Sequence, residues 1–188
     1  SNHSDNNSED LDQALLATAA DLVRTRWSDG ACEGTGTEQF AVAPISPDHL
    51  DYIKPLGHIT GAHITPTSHQ KWFPIAGSPV DVRAPTSGRI IWLTNRGTAN
   101  SGESFGGFAG EDYEVQYVIE VSCDLYLIID HVLGVPESIA QALGTSWDAR
   151  VNIPLSAGEL LGQHSDGSKI DIGVIDLSLG KVPGLIRK

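Results

Sequence analysis

The sequence predicts a mainly β domain, an antiparallel β-sandwich or partly open barrel, preceded by an N-terminal helix. From Phe40 onward, short segments with alternating or β-branched apolar residues recur between Gly, Pro, Asn and Ser. The longest such segment, 113–122, is followed at once by a second one, which we expect to return antiparallel beside it. The predicted strands are 50–59, 70–75, 79–83, 88–94, 113–122, 124–132, 149–153 and 169–176.

Composition excludes several classes of protein. The chain has 188 residues, which suits one domain with an extension, and 40% of them are hydrophobic. No apolar run approaches the roughly 18 residues that cross a bilayer, so we expect no transmembrane segment. The formal net charge is −12 and Lys and Arg form no basic cluster. Nucleic acid is therefore not an expected partner, since phosphate binding needs a basic patch.

The N-terminal region is expected to be an extension of the β domain. The chain begins with a polar stretch, SNHSDNNSED, that reads as a disordered linker. Leucines then repeat at helical spacing and predict a helix over 9–27, with Ser8 as its cap. The Gly-rich residues 28–37 predict a loop. We therefore divide the chain into an extension, 1–37, and a β domain, 38–188.

Two later segments depart from the strand pattern. Residues 95–111 are rich in Gly and Ser and predict a long loop that covers a site as a flap. Residues 136–143 predict a short helix with proline at its first position. Three polar residues receive structural interpretations: Asp81 points outward from a strand, Asp176 ends a strand, and His164 is solvated in a turn.

The two cysteines, Cys32 and Cys123, lie far apart and form no Cys-x-x-Cys pair, which argues against a thiolate zinc site. Two alternatives stay open: a disulfide that pins the extension to the core, or two buried thiols. The chain begins without methionine, as a mature or trimmed product does. We therefore expect an extracellular or periplasmic protein, with membrane tethering through a removed N-terminal segment as one route.

Three histidines, His58, His63 and His69, lie within twelve residues that end just before the second predicted strand. Clustered imidazoles are typical of zinc sites, because nitrogen ligands suit this borderline-soft metal. The alternative is a set of surface polar residues in a loop rich in Thr, Ser and Pro. Spacing within this stretch does not decide between the two.

Three blocks resemble the lysostaphin-type zinc metallopeptidases, which share the duplicated hybrid motif fold. In order they are PVDVRAPTSGRI, YEVQYVIEVSCDLYLIIDHVLGV and VNIPLSAGELLGQHSDGSKIDIGVID, within residues 50–176. The resemblance implies a lysostaphin-like fold, a zinc cofactor and a peptidoglycan or peptide substrate. The chain departs from the family's motifs at two positions. Phe73 stands four residues after His69, where the family has aspartate, and Lys169 with Asp171 replaces its His-x-His pair.

A narrower resemblance accounts for these departures. LGHITGAHITPTSHQKWF and IDIGVID are similar to the signatures of an uncharacterised bacterial branch of this fold. The resemblance implies that His63, His69 and Asp171 bind zinc and that His131 is the catalytic base or transition-state donor. If His131 is also a ligand, the site is closed and structural.

Three functions therefore remain open. The first is an exported zinc hydrolase that cuts peptidoglycan or peptide amide bonds. The second is a non-catalytic cell-wall module that binds a ligand or regulates another hydrolase. The third is a sugar-phosphotransferase carrier domain, in which His69 and His131 would be the two facing histidines. The sequence does not predict the oligomeric state.

Overall fold

In a computed structural model of the protein, the described residues are Trp27, Cys32, Gly34, Gly36, 39–58, 69–77, 79–98, 113–164 and 169–178. These ranges contain nine β-strands, one α-helix and a short 3-10 helix, Pro47–His49. The strands are β1 (Leu50–Lys54), β2 (His69–Pro74), β3 (Val80–Arg83), β4 (Gly88–Thr98), β5 (Tyr113–Glu120), β6 (Leu125–Val132), β7 (Asp148–Leu155), β8 (Leu160–His164) and β9 (Ile170–Asp176). The helix, α1 (Glu137–Leu143), lies between β6 and β7. The predicted mainly β class is confirmed.

The strands form two antiparallel sheets. Seven strands pair in the order β1-β2-β9-β6-β5-β4-β7, and β3 pairs with β8 in a sheet of two strands. Val82 of β3 and Leu161 of β8 belong to the same buried core as Tyr117 and Ile129 of the large sheet. The Tyr117 hydroxyl donates a hydrogen bond to the Leu161 carbonyl at 2.6 Å. The small sheet therefore covers one face of the large sheet, which is open at β1 and β7 within the described ranges.

The opposite face of the large sheet carries the polar residues of interest. Side chains alternate between faces along a strand, so residues directly opposite on neighbouring strands share a face. Asp130 of β6 pairs with Asp171 of β9, which pairs with Lys71 of β2. His69 lies two residues before Lys71 and therefore on this face too. The apolar part of this face is a small buried cluster of Ile91, Val118 and Tyr126.

Several predicted boundaries are corrected. The strand predicted over 50–59 ends at Lys54, because Pro55 lacks the N–H that would continue the ladder. The loop predicted over 95–111 begins later, because β4 continues to Thr98; residues 99–111 lie outside the described residues. Strand β8 was not predicted. The predicted helix after β6 is confirmed, but it begins one residue later, with Pro136 as its N-cap; the antiparallel pairing of β5 with β6 is confirmed too.

Cys32 and Gly36 connect the N-terminal part of the chain to the turn between β5 and β6. Cys32 and Cys123 form a disulfide with Cα atoms 5.5 Å apart, so the first of the two alternatives is observed. The Gly36 amide donates to the Val121 carbonyl at 2.8 Å, and a Cβ at this glycine would meet that oxygen. The predicted linker and helix lie outside the described residues except for Trp27, which is helical. No helix among the described residues is long and apolar enough to cross a membrane.

Candidate functional site

A β-bulge places His131 at the site. Across the β5–β6 pair, Tyr117 faces Ile129 but Val115 faces Val132, so β6 carries one residue more than β5 between these points. His131 has φ 69°, the one positive φ among the described residues other than glycine. A bulge bends its strand and redirects a side chain. Both Asp130 and His131 consequently line one groove on the polar face.

Two histidines converge on one carboxylate oxygen. His69 Nε2 lies 3.2 Å from Asp171 Oδ2, and His131 Nε2 lies 3.5 Å from the same atom. The other ring nitrogen of His131, Nδ1, is 2.6 Å from Glu114 Oε2. The structure therefore brings together three of the four predicted site residues. The fourth, His63, lies outside the described residues.

Lys169 holds the carboxylate at the centre of this group. Its Nζ lies 2.7 Å from Asp171 Oδ1 and 2.8 Å from Oδ2. The contact follows from the sequence, because residues two apart on an extended chain point to the same side. The Asp171 side chain is only 14% exposed, so this charge-assisted pair is little screened by solvent.

Hydrogen bonds fix the protonation states of the cluster. Burial disfavours the charge on His131, but the hydrogen bonds that its ring donates to Asp171 and Glu114 outweigh burial and raise its pKa to about 9. Burial likewise opposes the Asp171 carboxylate, but the bonds from His131 and Lys169 lower its pKa to about 2. For Glu114, burial is outweighed by the His131 hydrogen bond, and its pKa is also lowered. At neutral pH the cluster therefore holds an imidazolium between two carboxylates.

The described side chains do not fit a zinc ion as they stand. Within the described ranges, no group of three or more His, Cys, Asp or Glu residues is arranged to hold a metal. The ammonium of Lys169 contacts both oxygens of Asp171, so a metal ion at this carboxylate would compete with it. Phe73 has no ligand atom and stacks on Tyr52, with ring centroids 4.4 Å apart.

The groove around this cluster has a volume of about 520 Å³. Its polar wall continues past Asp171 to Asp130, which accepts a hydrogen bond from Gln116 Nε2 at 2.8 Å and lies 3.4 Å from Arg96 Nε. Its apolar wall includes Ile128 and Val174. The groove therefore presents anchored cations, anchored carboxylates and apolar surface side by side.

Sequence reasoning missed or misplaced several residues of the site, three of which contact His131 or Asp171 directly. His164 was predicted to be solvated in a turn, which is wrong: it lies on β8 and is fully buried. Its Nδ1 is 3.0 Å from the His131 carbonyl oxygen. Glu114 was not singled out, although an acidic residue at the start of a long apolar strand was a visible signal. Lys169 was noted as a departure from the family motif, but its bond to Asp171 was not foreseen.

Two structural interpretations are confirmed. Asp81 points outward, half-exposed, and pairs with Arg83 at 2.6 Å. Asp176 ends β9, and its Oδ1 accepts hydrogen bonds from the backbone and hydroxyl of Ser178. Neither residue belongs to the groove.

No family model matches the chain, and no curated protein matches it. The roles of His63, His69 and Asp171 as metal ligands, and of His131 as a catalytic residue, therefore stay predictions.

Proposed function

We propose that this chain is a non-catalytic binding module of lysostaphin-like fold that recognises peptidoglycan or a related peptide through the polar groove. One observation carries the proposal: the Lys169 ammonium holds both oxygens of Asp171. A metallopeptidase of this type would need that carboxylate for its metal ion. In this chain the Lys169 ammonium pairs with that carboxylate. The groove keeps its shape and its polar side chains, and these serve to recognise a ligand.

The composition of the groove suits a peptide ligand. Binding sites combine apolar surface with a few polar groups that fix orientation. Here Arg96 and Lys169 offer cationic tips, and Gln116 offers an amide. Val174, which is 53% exposed, offers apolar surface beside them. A short peptide with free carboxylates and small apolar side chains presents the complementary groups.

The disulfide supports a location outside the cytoplasm. Disulfides form and persist in oxidising compartments and are rare where thiols are kept reduced. The Cys32–Cys123 bond closes a long segment of the chain. We accordingly place the module in an extracellular or periplasmic setting, where peptidoglycan is found.

A zinc hydrolase is the second candidate, and one observation favours it. His69 Nε2 and His131 Nε2 both approach Asp171 Oδ2, as two nitrogen ligands and one oxygen ligand would around an ion. This function would require Lys169 to leave Asp171 and His63 to join the group. Both requirements are open to experiment.

Co-sedimentation of the purified full chain with peptidoglycan sacculi tests the proposal. Arg96→Ala is the groove variant, and Arg83→Ala is its matched control, because both arginine side chains are 45% exposed and only Arg96 lines this groove. We expect the wild type and Arg83→Ala to sediment with sacculi, and Arg96→Ala to bind several-fold more weakly.

Release of labelled peptide from the same sacculi, with and without added zinc, separates the two functions. Sedimentation without release supports a binding module. Zinc-dependent release that disappears in His131→Ala would establish the hydrolase instead. If the wild type does not sediment with sacculi, the binding proposal is wrong.

A further inference from the structure

His164 is a buried polar side chain beneath the groove. It is fully buried on β8, where a polar group is stable only if it is hydrogen-bonded. Its Nδ1 lies 3.0 Å from the His131 carbonyl oxygen. A carbonyl can only accept, so His164 Nδ1 must carry the proton in this contact.

The backbone of His131 is held from both sides by side chains. Its amide donates to Asp130 Oδ1 at 2.9 Å, and its carbonyl accepts from His164. A residue with a Cβ rarely adopts a positive φ, so the 69° at His131 requires surrounding contacts that maintain it. These two hydrogen bonds are such contacts.

Strand β8 also fixes the chain directly after His131. Leu133 and Gln163 exchange two backbone hydrogen bonds, at 2.8 and 2.7 Å. At Gly162 a Cβ would meet the Leu133 carbonyl oxygen at 2.4 Å, so the two backbones approach as closely as glycine permits. The donor on His164 therefore lies on a strand that is hydrogen-bonded directly to the chain after His131.

We propose that His164 is a positioning residue, which holds the left-handed backbone of His131 and thereby directs the His131 ring toward Glu114 and Asp171. This inference rests on the proposed function, in which His131 lines the ligand groove. Without the donor, the bulge can relax toward an ordinary extended conformation. The ring of His131 would then turn away from the Glu114 carboxylate.

The first test is made on the wild-type chain. Long-range proton–nitrogen NMR of the nitrogen-15-labelled protein reports which ring nitrogen of each histidine carries a proton. We expect a proton on His164 Nδ1 at neutral pH. A bare Nδ1 would overturn the inference, because the hydrogen bond to the carbonyl could not exist.

The second test compares two variants at the same position. His164→Phe keeps a ring but removes the donor, whereas His164→Asn keeps an N–H close to the place of Nδ1. The readout is the His131 Nδ1 proton, whose resonance is expected far downfield because of its 2.6 Å bond to Glu114. We expect the phenylalanine variant to lose this resonance and to bind sacculi about tenfold more weakly, and the asparagine variant to retain both.

Three results would overturn the inference: an unchanged His131 resonance in His164→Phe, its loss in a folded His164→Asn, or an equal shift in the control Gln163→Ala. If His164→Phe does not fold, the inference is judged by whether His164 Nδ1 carries a proton in the wild type. If the wild type does not bind sacculi, the proposed function fails. Even then, the effect of the His164 variants on the His131 Nδ1 proton resonance shows whether His164 positions His131.

Discussion

Removal of the disulfide is the perturbation whose magnitude follows most directly from the structure. The bond joins residues 91 apart in sequence. Closing a loop of this length removes about 4.5 kcal/mol of chain entropy, as TΔS, from the unfolded state. Residual structure in the unfolded chain reduces this figure. We therefore expect the variant Cys32→Ser/Cys123→Ser to lose about 3 to 4 kcal/mol of unfolding free energy, a large part of the roughly 5–15 kcal/mol typical of a domain.

Urea unfolding followed by circular dichroism measures this loss. The wild type, unfolded without reductant, should show no free thiol. Reduction of the wild type should lower its stability to that of the double variant, while the variant itself should not respond to reductant. A loss below about 1 kcal/mol in a natively folded double variant would refute the reasoning. It would mean that the turn between β5 and β6 gains nothing from the tether.

Three further predictions concern buried and charged groups. Asp171, whose pKa falls from 3.8 to about 2 on folding, stabilises the fold above pH 4 and loses this effect as pH falls toward 2. His131, whose pKa rises from 6.5 to about 9 on folding, stabilises the fold below pH 6.5 and loses this effect as pH rises through 9. The urea midpoint should therefore be highest between about pH 4 and 6.5, and a midpoint that does not change with pH would contradict the predictions for Asp171 and His131. Tyr117→Phe should cost about 1–2 kcal/mol in urea unfolding, because a buried carbonyl loses its donor; unchanged stability would show that another group replaces it. Arg89→Met should cost about 3–5 kcal/mol because the buried Glu120 carboxylate loses its ion pair with Arg89, whereas Arg89→Met/Glu120→Leu should cost less; equal losses in the single and the double variant would contradict this.

The strands that alternation predicts best are those with one face on the core. β7 is the example: Ala149, Val151 and Ile153 pack against the core and the residues between them are exposed, a spacing that the sequence shows directly. Strand β8 was missed for the opposite reason. It is short, contains Gly162 and buries two adjacent residues, so its sequence shows neither alternation nor a β-branched run. His164 was misplaced because it lies on this strand.

The site was predictable in part. His69, His131 and Asp171 were grouped through the resemblance to a family, and the structure brings their side chains together, although their roles stay untested. The Lys169–Asp171 bond could have been predicted from the two-residue spacing of a strand. The hydrogen bond from His164 to His131 could not, because it depends on how the small sheet packs against the large one.

The segment Ile129–Val132 shows how the chain supplies a groove without losing its core. Ile129 and Val132 are both fully buried in the main core, although residues three apart in a regular strand point to opposite faces. The bulge resolves this conflict, because the extra residue shifts the alternation and leaves Asp130 and His131 together on the groove side. Two adjacent polar residues between buried apolar ones are therefore the sequence signal of the site. The positive φ at His131 is the conformational cost of that arrangement, and it falls at the residue whose ring joins two carboxylates.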